Sequence, residues 1–161
     1  MDYLSLIENK IIRKKEDLNN ILNQWRLSKE KIVFTNGCFD ILHRGHVEYL
    51  AKASVLGTKL VIGLNTDTSV RKLKGESRPI NDQEARAILL SSLMFTDKII
   101  FFEEDTPLEL IRYIQPDVLV KGNDYRAEDI IGYDIVKNKG GEIITVNLTA
   151  GFSTTNILNK I

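Results

Sequence analysis

Cysteine and histidine are scarce in this chain of 161 residues, and both shortages limit its chemistry. The single cysteine, Cys38, cannot form an intrachain disulfide, so we expect a reducing, cytoplasmic compartment. A zinc site would have only Cys38, two histidines and carboxylates to draw on, which leaves it short of its usual ligands. There is no apolar run of membrane-spanning length and no apolar core of a signal peptide, so we expect no membrane association.

An excess of charge of one sign is missing as well. The 22 basic and 22 acidic side chains give a formal net charge of zero. This balance argues against bulk electrostatic capture of nucleic acid, and we expect no nucleic-acid partner. A small anionic ligand needs only a local positive site and is not excluded.

Two common phosphate-binding motifs are also absent. The chain contains no GxxxxGK[ST] segment, and no GxGxxG segment follows its first apolar strand. These absences disfavour a P-loop nucleotide hydrolase and a dinucleotide-binding oxidoreductase. Any phosphate site must therefore be built in another way.

What the sequence does contain is a regular alternation of apolar strands and helical patterns. Continuous apolar runs occur at 31–35, 59–64, 98–102, 117–120 and 142–146. Strands that are apolar throughout are typical of sheets covered on both faces. We therefore predict an α/β fold: a Rossmann-like, doubly wound, five-stranded parallel sheet with helices on both faces.

The remaining segments complete the predicted domain organisation. Residues 1–30 read as an N-terminal helical extension of two helices, and residues 31–161 as the main domain. Helices are further predicted over 46–56, 81–94, 106–114, 128–138 and 153–161. The stretch Asp67–Pro79 has the least regular pattern and is rich in basic residues, so we predict a loop there.

Glycine-rich and polar segments follow four of the predicted strands, at 36–46, 65–67, 121–125 and 147–155. Because the carboxyl ends of parallel strands meet at one edge of a sheet, we expect these segments to lie close together. Ligands of doubly wound sheets bind at that edge, in the crevice where strand order reverses. The sequence therefore predicts a ligand site built from these four segments.

Both histidines of the chain fall in the first of these segments. His43 and His46 flank Gly45 at the predicted start of a helix. Glycine lets backbone approach a ligand closely, and a helix N-terminus offers unpaired amides and partial positive charge. This pattern indicates a phosphate site, although histidines that only cap or pack remain an alternative. Cys38, beside them, is predicted to be a small packing residue rather than a nucleophile.

These residues carry a family resemblance. The run from Phe34 to His46 resembles the HxGH signature of the cytidylyltransferase-like nucleotidyltransferases, and 151–155 resembles their second signature, (I/F)S(S/T)T. Residues 31–161 are most similar to the adenylyltransferase domains of ADP-heptose synthases, through the segments 63–67, 73–75, 78–80, 105–111 and 116–125. One departure concerns an arginine that often follows the second signature, because the nearest basic residue here is Lys160.

The resemblance implies transfer of AMP from ATP to a heptose 1-phosphate, with release of pyrophosphate, for synthesis of a lipopolysaccharide core precursor. It implies three catalytic residues, namely His43, His46 and Lys74. It implies a nucleotide-binding set formed by Asn36, Gly37, Phe39, Asp40, His43, Gly45, His46, Asn65, Asp67, Lys121, Gly122, Asp124, Tyr125, Gly151, Ser153, Thr154 and Thr155. The phosphate of the acceptor is expected to contact Lys72, Lys74 and Arg78.

The resemblance also implies partners. Mg²⁺ is expected as a cofactor held mainly by the phosphates of ATP, with no dedicated protein ligands. ATP and a sugar phosphate are the expected substrates, and a homodimer is expected because relatives are commonly dimers. Two alternatives stay open: a cytidylyltransferase acting on glycerol 3-phosphate or a similar alcohol phosphate, and a nucleotide-binding module without catalysis.

Overall fold

The computed structural model describes residues 1–160 and shows a sheet of six strands, all parallel. The strands are β1 (Ile11–Ile12), β2 (Ile32–Gly37), β3 (Lys59–Asn65), β4 (Lys98–Phe102), β5 (Val118–Gly122) and β6 (Glu142–Val146). Their spatial order is β1-β4-β3-β2-β5-β6. From β2 the chain runs outward through β3 to β4, then returns to the other side of β2 with β5 and β6. Strand order therefore reverses between β2 and β5.

Eight α-helices are present among the described residues. They are α1 (Tyr3–Glu8), α2 (Lys15–Leu27), α3 (Arg44–Ser54), α4 (Asp67–Lys74), α5 (Gln83–Ser91), α6 (Leu108–Ile114), α7 (Tyr133–Asn138) and α8 (Thr154–Leu158), with a 3₁₀ turn at Ala127–Asp129. No helix among residues 1–160 combines the length and the apolar character needed to cross a bilayer.

Helices cover both faces of the sheet. Val33 of β2 belongs to one cluster of buried side chains, which it shares with Leu50 of α3. The next residue, Phe34, belongs to a second cluster, which it shares with Leu22 of α2 and Ile111 of α6. Successive strand residues point to opposite faces, so the two clusters are the two sides of the sheet. The Rossmann-like, doubly wound fold predicted from the sequence is confirmed.

The prediction of five strands misses β1. Ile11 and Ile12 pair with Ile99 and Ile100 of β4 and extend the sheet to six strands. A strand of two residues is too short to show the alternation of apolar and polar residues that marks a strand. Its two isoleucines were therefore assigned to a predicted helix. β1 thus joins the sheet, and Leu18 and Leu22 of α2 are buried in the cluster that covers one of its faces. A domain boundary after residue 30 stays a prediction.

The predicted loop Asp67–Pro79 is wrong over its first eight residues, which form α4. Thr66 caps this helix by accepting a hydrogen bond from the Ser69 backbone N–H at 3.3 Å, and Val70 is its buried apolar contact. Only two of its eight residues, Val70 and Leu73, are apolar, and two positions are too few to establish a helical period in the sequence. The irregular part is confined to residues 75–79.

Other boundaries shift in ways that affect the site. Helix α3 begins at Arg44, two residues before the predicted start. The predicted helix 128–138 is divided, because Gly132 adopts a left-handed conformation (φ 93°) between the 3₁₀ turn and α7. The last helix runs over Thr154–Leu158, and its predicted end at Ile161 lies outside the described residues.

Candidate functional site

A cavity of about 620 Å³ opens at the carboxyl edge of the sheet, between the ends of β2 and β5. The segments that follow β2, β5 and β6 line it, together with the C-terminal end of α4. This is the edge at which the sequence predicted these segments to meet, and it coincides with the reversal of strand order. Its size is that of a site for a small ligand.

The two histidines meet at the N-terminal end of α3. Their imidazole rings are stacked, with centroids 3.7 Å apart and planes inclined by 22°. Phe39 packs against His46 edge-on at 5.1 Å. His43 occupies the N-cap position but its side chain makes no capping hydrogen bond, and Nδ1 of each imidazole is buried without a partner among residues 1–160.

The surroundings keep both imidazoles neutral. Burial lowers the pKa of His46 to about 4, and the nearby His43 acts in the same direction. Burial also lowers the pKa of His43. Near pH 7 each ring therefore carries one N–H donor and no charge. A bound polyphosphate would oppose these shifts, because negative charge stabilises an imidazolium.

Gly45 is required by close packing rather than by its backbone angles. A Cβ at this position would lie 3.1 Å from Nδ1 of His43 and 3.1 Å from Cβ of Phe152. Both separations are tighter than ordinary contacts of a methyl group. Glycine thus allows the His43 ring and the segment after β6 to approach α3 together.

Side chains of α3 form hydrogen bonds with the segment that follows β6. Glu48 accepts a hydrogen bond from the hydroxyl of Thr149 and forms an ion pair with Arg44, with an N–O distance of 2.5 Å. Lys52 donates to the backbone carbonyl of Asn147 at 3.3 Å. These contacts hold the segment after β6 along α3, beside the histidines.

Beyond that segment lies the start of α8. The Ser153 hydroxyl caps this helix by accepting from the Asn156 backbone N–H at 3.0 Å. Phe152 is held by the guanidinium of Arg44, which lies 5.2 Å from the ring centroid. Ser153, Thr154 and Thr155 all line the cavity. Two helix N-termini, of α3 and α8, therefore border the same space.

Asp40 organises the irregular segment that follows α4. Its carboxylate is 2% exposed, forms an ion pair with Arg78, and accepts from the backbone N–H groups of Ile80 at 2.7 Å and Asn81 at 3.0 Å. Arg78, predicted to bind substrate phosphate, lines the cavity but is already paired with this carboxylate. A guanidinium has further donors, so phosphate binding by Arg78 stays a prediction.

Arg86 of α5 is a buried residue of the site region that the sequence reasoning missed. It is 1% exposed and donates to the backbone carbonyls of Cys38 at 2.7 Å, Asn65 at 2.8 Å and Asn81 at 3.0 Å. Its ion pair with Asp67 measures 2.8 Å. One feature of the sequence could have indicated it: Arg86 lies four residues before the buried Leu90, at a position where the helical pattern calls for an apolar residue.

Lys121, at the end of β5, is a cation of the cavity without a protein partner. No carboxylate of residues 1–160 lies within 4.0 Å of its ammonium group, and it donates no hydrogen bond to them. Burial lowers the pKa of Lys121 to about 8, opposed by the nearby Asp124 and Cys38. Such an ammonium group is available to a ligand.

Most of the predicted site residues line this one cavity. They are Asn36, Gly37, Phe39, Asp40, His43, Gly45, His46, Lys74, Arg78, Lys121, Gly122, Asp124, Tyr125, Ser153, Thr154 and Thr155. Four predicted residues do not line it: Asn65, Asp67, Lys72 and Gly151. Asn65 and Asp67 instead bind Arg86, and Lys72 is exposed on α4. Their assignment to the ligand is not supported by their positions.

Several lining residues were not assigned to the site from the sequence: Cys38, Tyr49, Leu73, Leu148, Thr149 and Phe152. Tyr49 is buried beneath the cavity, where its hydroxyl is 2.8 Å from Oγ1 of Thr35 and donates to the carbonyl of Val120 at 3.2 Å. It thereby ties α3 to both β2 and β5. A tyrosine among the apolar residues of a helix gives no sign of this role in the sequence.

Comparison with known proteins places this geometry in a family. The cytidylyltransferase-like family profile matches residues 34–160. The chain is 54% identical over 150 residues to the bifunctional protein HldE of Campylobacter concisus and 52% identical over 150 residues to that of Wolinella succinogenes. Each alignment covers 93% of this chain but only 30% and 31% of the relatives, so the chain spans about a third of their length. Each alignment also reaches into residues 1–30, which lie outside the segment 31–161 that carries the sequence resemblance.

Solved structures agree with this placement. A lipopolysaccharide core biosynthesis protein from Thermoplasma volcanium GSS1 superposes with a TM-score of 0.59 at 27% identity, over 74% of this chain and 97% of that one. A pantoate–β-alanine ligase from Francisella tularensis gives a TM-score of 0.61 at 15% identity, over 94% of this chain and 78% of that one, and so supports the fold alone. Since the family profile covers most of its length, the chain belongs to the cytidylyltransferase-like family.

Proposed function

We propose that this protein transfers AMP from ATP to a heptose 1-phosphate and releases pyrophosphate, the activity implied by its resemblance to the adenylyltransferase domains of ADP-heptose synthases. The proposal depends chiefly on one observation: two stacked, neutral imidazoles at the N-terminal end of α3 line a cavity where strand order reverses. The HldE relatives and the lipopolysaccharide core biosynthesis protein support the acceptor and the pathway.

The reaction needs no activated side-chain nucleophile. The attacking group is a phosphate oxygen of the acceptor, which is already anionic at neutral pH. It attacks the α-phosphorus of ATP, a new P–O bond forms, and the bond to the bridging oxygen of pyrophosphate breaks. Cys38 is consistent with this scheme, because burial raises the pKa of its thiol and disfavours a thiolate.

The protein contributes positioning and electrostatic stabilisation. His43 and His46 each donate a hydrogen bond to phosphate oxygens, and their donors matter most as charge builds up on the α-phosphate and the leaving group. The N-terminal amides of α3 add partial positive charge at the same place. We place the β- and γ-phosphates near Ser153, Thr154 and Thr155, as the second signature implies.

The base and ribose are assigned to the opposite rim. Tyr125, Leu148 and Phe152 line the cavity and remain 54%, 51% and 42% exposed, so their side chains are available to a ligand. They offer a planar base apolar and aromatic surface. Asp124, in the same loop as Tyr125, can accept a hydrogen bond from a ribose hydroxyl.

We further propose Mg²⁺ as the cofactor, entering with the phosphates of ATP. Among residues 1–160 no three His, Cys, Asp or Glu side chains are grouped so that they could hold a metal ion. The buried carboxylate of Asp40, which lines the cavity, is occupied by Arg78 and two backbone amides. When bound, Mg²⁺ would neutralise phosphate charge, and no protein ligand is assigned to it.

The test is a pyrophosphate-release assay with ATP, CTP and GTP, each paired with a panel of sugar 1-phosphates and with glycerol 3-phosphate. We expect release with ATP and a heptose 1-phosphate, and a nucleotide–sugar product by mass spectrometry. Preference for CTP and glycerol 3-phosphate would replace the proposal with the cytidylyltransferase alternative. Nucleotide binding without release for any pair would leave a binding module.

Two further expectations belong to the proposal: a cytoplasmic location and a homodimer. For the dimer, the relevant surface is the N-terminal helix α1, on which Tyr3, Leu4 and Leu6 are more than half exposed. Such a cluster is suited to burial against a second copy. Light scattering at micromolar concentration should give twice the chain mass, and a mass of one chain would exclude the dimer.

A further inference from the structure

Four basic residues carry charges that interact with the thiol of Cys38, which follows the central strand β2. The charges of Lys74, Arg86 and Arg78 act on the thiol, and the thiol in turn acts on Lys121. Two of these cations are already neutralised, because Arg78 is paired with Asp40 and Arg86 with Asp67. The local positive charge left over therefore belongs to the two lysines.

The two lysines reach this point from opposite sides of β2. Lys74 ends α4, which follows β3, whereas Lys121 ends β5, and β2 lies between those strands. Neither ammonium group has a carboxylate within 4.0 Å among residues 1–160. Both line the cavity. An anion above Cys38 would therefore meet one cation from each side.

Lys121 is the more informative of the pair, because it is half-buried, whereas Lys74 is exposed. Desolvation of an ammonium group costs free energy, and the lowered pKa of Lys121 reflects this cost. A fold that needed only apolar contact at the end of β5 would be served by an uncharged side chain. The charge is instead kept beside a cavity, with Asp124 near but no carboxylate of residues 1–160 within 4.0 Å, which indicates that a ligand supplies further counter-charge.

We propose that Lys121 binds the phosphate of the acceptor, together with Lys74, and so acts in acceptor recognition rather than as part of the ATP site. This inference rests on the proposed function. A sugar 1-phosphate carries close to two negative charges at neutral pH, and two lysines match that charge. The triphosphate has its own partners at the ends of α3 and α8. In-line attack requires the acceptor phosphate to lie next to the α-phosphate, in the cavity that both lysines line.

The test compares the wild type with Lys121→Met, which keeps the length and removes the charge, and with Lys121→Arg, which keeps a charge. The matched control is Lys137→Met, an exposed lysine of α7 outside the cavity. Pyrophosphate release is measured while ATP and the heptose 1-phosphate are varied in turn. We expect Lys121→Met to raise KM for the sugar phosphate about 10- to 100-fold and to change KM for ATP less than about threefold. Lys121→Arg should recover part of the loss.

A second measurement is independent of turnover. With a non-hydrolysable ATP analogue bound, inorganic phosphate should raise the Tm of the wild type by mass action. Lys121→Met should lose this phosphate-dependent rise but keep the rise caused by the analogue. Circular dichroism and the ligand-free Tm verify that the variant is folded.

The outcomes separate the two proposals. If the wild type releases no pyrophosphate with any sugar phosphate, the proposed function fails, and the phosphate-dependent Tm still tests Lys121. If Lys121→Met weakens ATP and spares the acceptor, Lys121 belongs to the triphosphate and the inference is overturned. Unchanged kinetics and an unchanged phosphate response would overturn it as well.

Discussion

The imidazole rings of His43 and His46 are stacked at a centroid distance of 3.7 Å, which two protonated rings would not maintain. The stack is consistent with the lowered pKa of both residues, since burial and mutual repulsion favour the neutral forms. Neutral imidazoles serve as hydrogen-bond donors, not as standing positive charges. Their strongest interaction with phosphate should therefore arise when negative charge develops during the reaction.

Replacing His46 by alanine should lower turnover far more than nucleotide binding. Loss of one donor to a developing oxyanion typically costs about 10²- to 10³-fold in kcat, and we expect a loss in that range. The measurement is the initial rate of pyrophosphate release at saturating ATP, with Lys137→Met as the unaffected control. If His46→Ala keeps more than about a tenth of wild-type turnover, the histidine has no transition-state role.

Binding of ATP should take up protons. The pKa of His46 is about 4 in the free protein and must rise when triphosphate oxygens surround the ring. Such a group binds more protons in the complex than in the free state. Affinity for ATP should therefore increase as pH falls from about 7 towards 5. In this range His46 becomes protonated in the complex but stays neutral in the free protein.

Calorimetry in buffers of different ionisation enthalpy measures this proton uptake directly. The γ-phosphate of ATP titrates in the same range, so the relevant quantity is the difference between the wild type and His46→Asn. Asparagine keeps an N–H donor but cannot become protonated. Equal uptake by the two proteins near pH 6 would show that His46 stays neutral in the complex.

The sequence was sufficient to predict those strands that have a regular apolar pattern. Continuous apolar runs predict β2 to β6, and the shared edge of a parallel sheet predicts that Asp124 and Ser153 lie with His43, as they do in the structure. The pattern failed where an element is short or polar. The two residues of β1 have no period, and α4 carries only two apolar residues, Val70 and Leu73, so neither element was predicted.

Contacts between distant residues were the other limit. Asn65 and Asp67 were predicted to bind nucleotide, but the backbone carbonyl of Asn65 and the carboxylate of Asp67 accept from Arg86, which lies about 20 residues later in the chain. Sequence position identifies which residues reach an edge of the sheet. It does not identify which of them another side chain has already engaged.

Replacing Gly45 by alanine should impair activity more than stability. The added methyl group would lie 3.1 Å from the His43 ring and 3.1 Å from Cβ of Phe152, so it must push the imidazole or the segment after β6 aside. Alanine is otherwise favoured in a helix by up to about 1 kcal/mol, which offsets part of the strain. We expect a Tm within a few degrees of the wild type and kcat/KM lowered about tenfold or more. Wild-type kcat/KM in a folded Gly45→Ala variant would show that the histidine stack does not depend on this spacing.

Replacing Arg86 by methionine should be the most destabilising of these substitutions. The change leaves the carboxylate of Asp67 and the carbonyls of Cys38, Asn65 and Asn81 without their donor in the interior. Breaking a buried ion pair from one side typically costs about 3–5 kcal/mol. At roughly 3 °C per kcal/mol for a domain of this size, Tm should fall by about 10 °C. Urea unfolding monitored by circular dichroism gives the free energy of unfolding.

Arg112→Met is the matched control for this loss. Arg112 also forms an ion pair, with Glu109, but both side chains are more than half exposed, whereas the Arg86 side chain is fully buried. Exposed pairs contribute less than about 1 kcal/mol, so the control should unfold almost as the wild type does. Equal effects of the two substitutions would show that Arg86 does not join the segment after β2 to α4 and α5. A large effect for Arg86 alone identifies this arginine as the link that holds the histidine-bearing segment against the neighbouring helices.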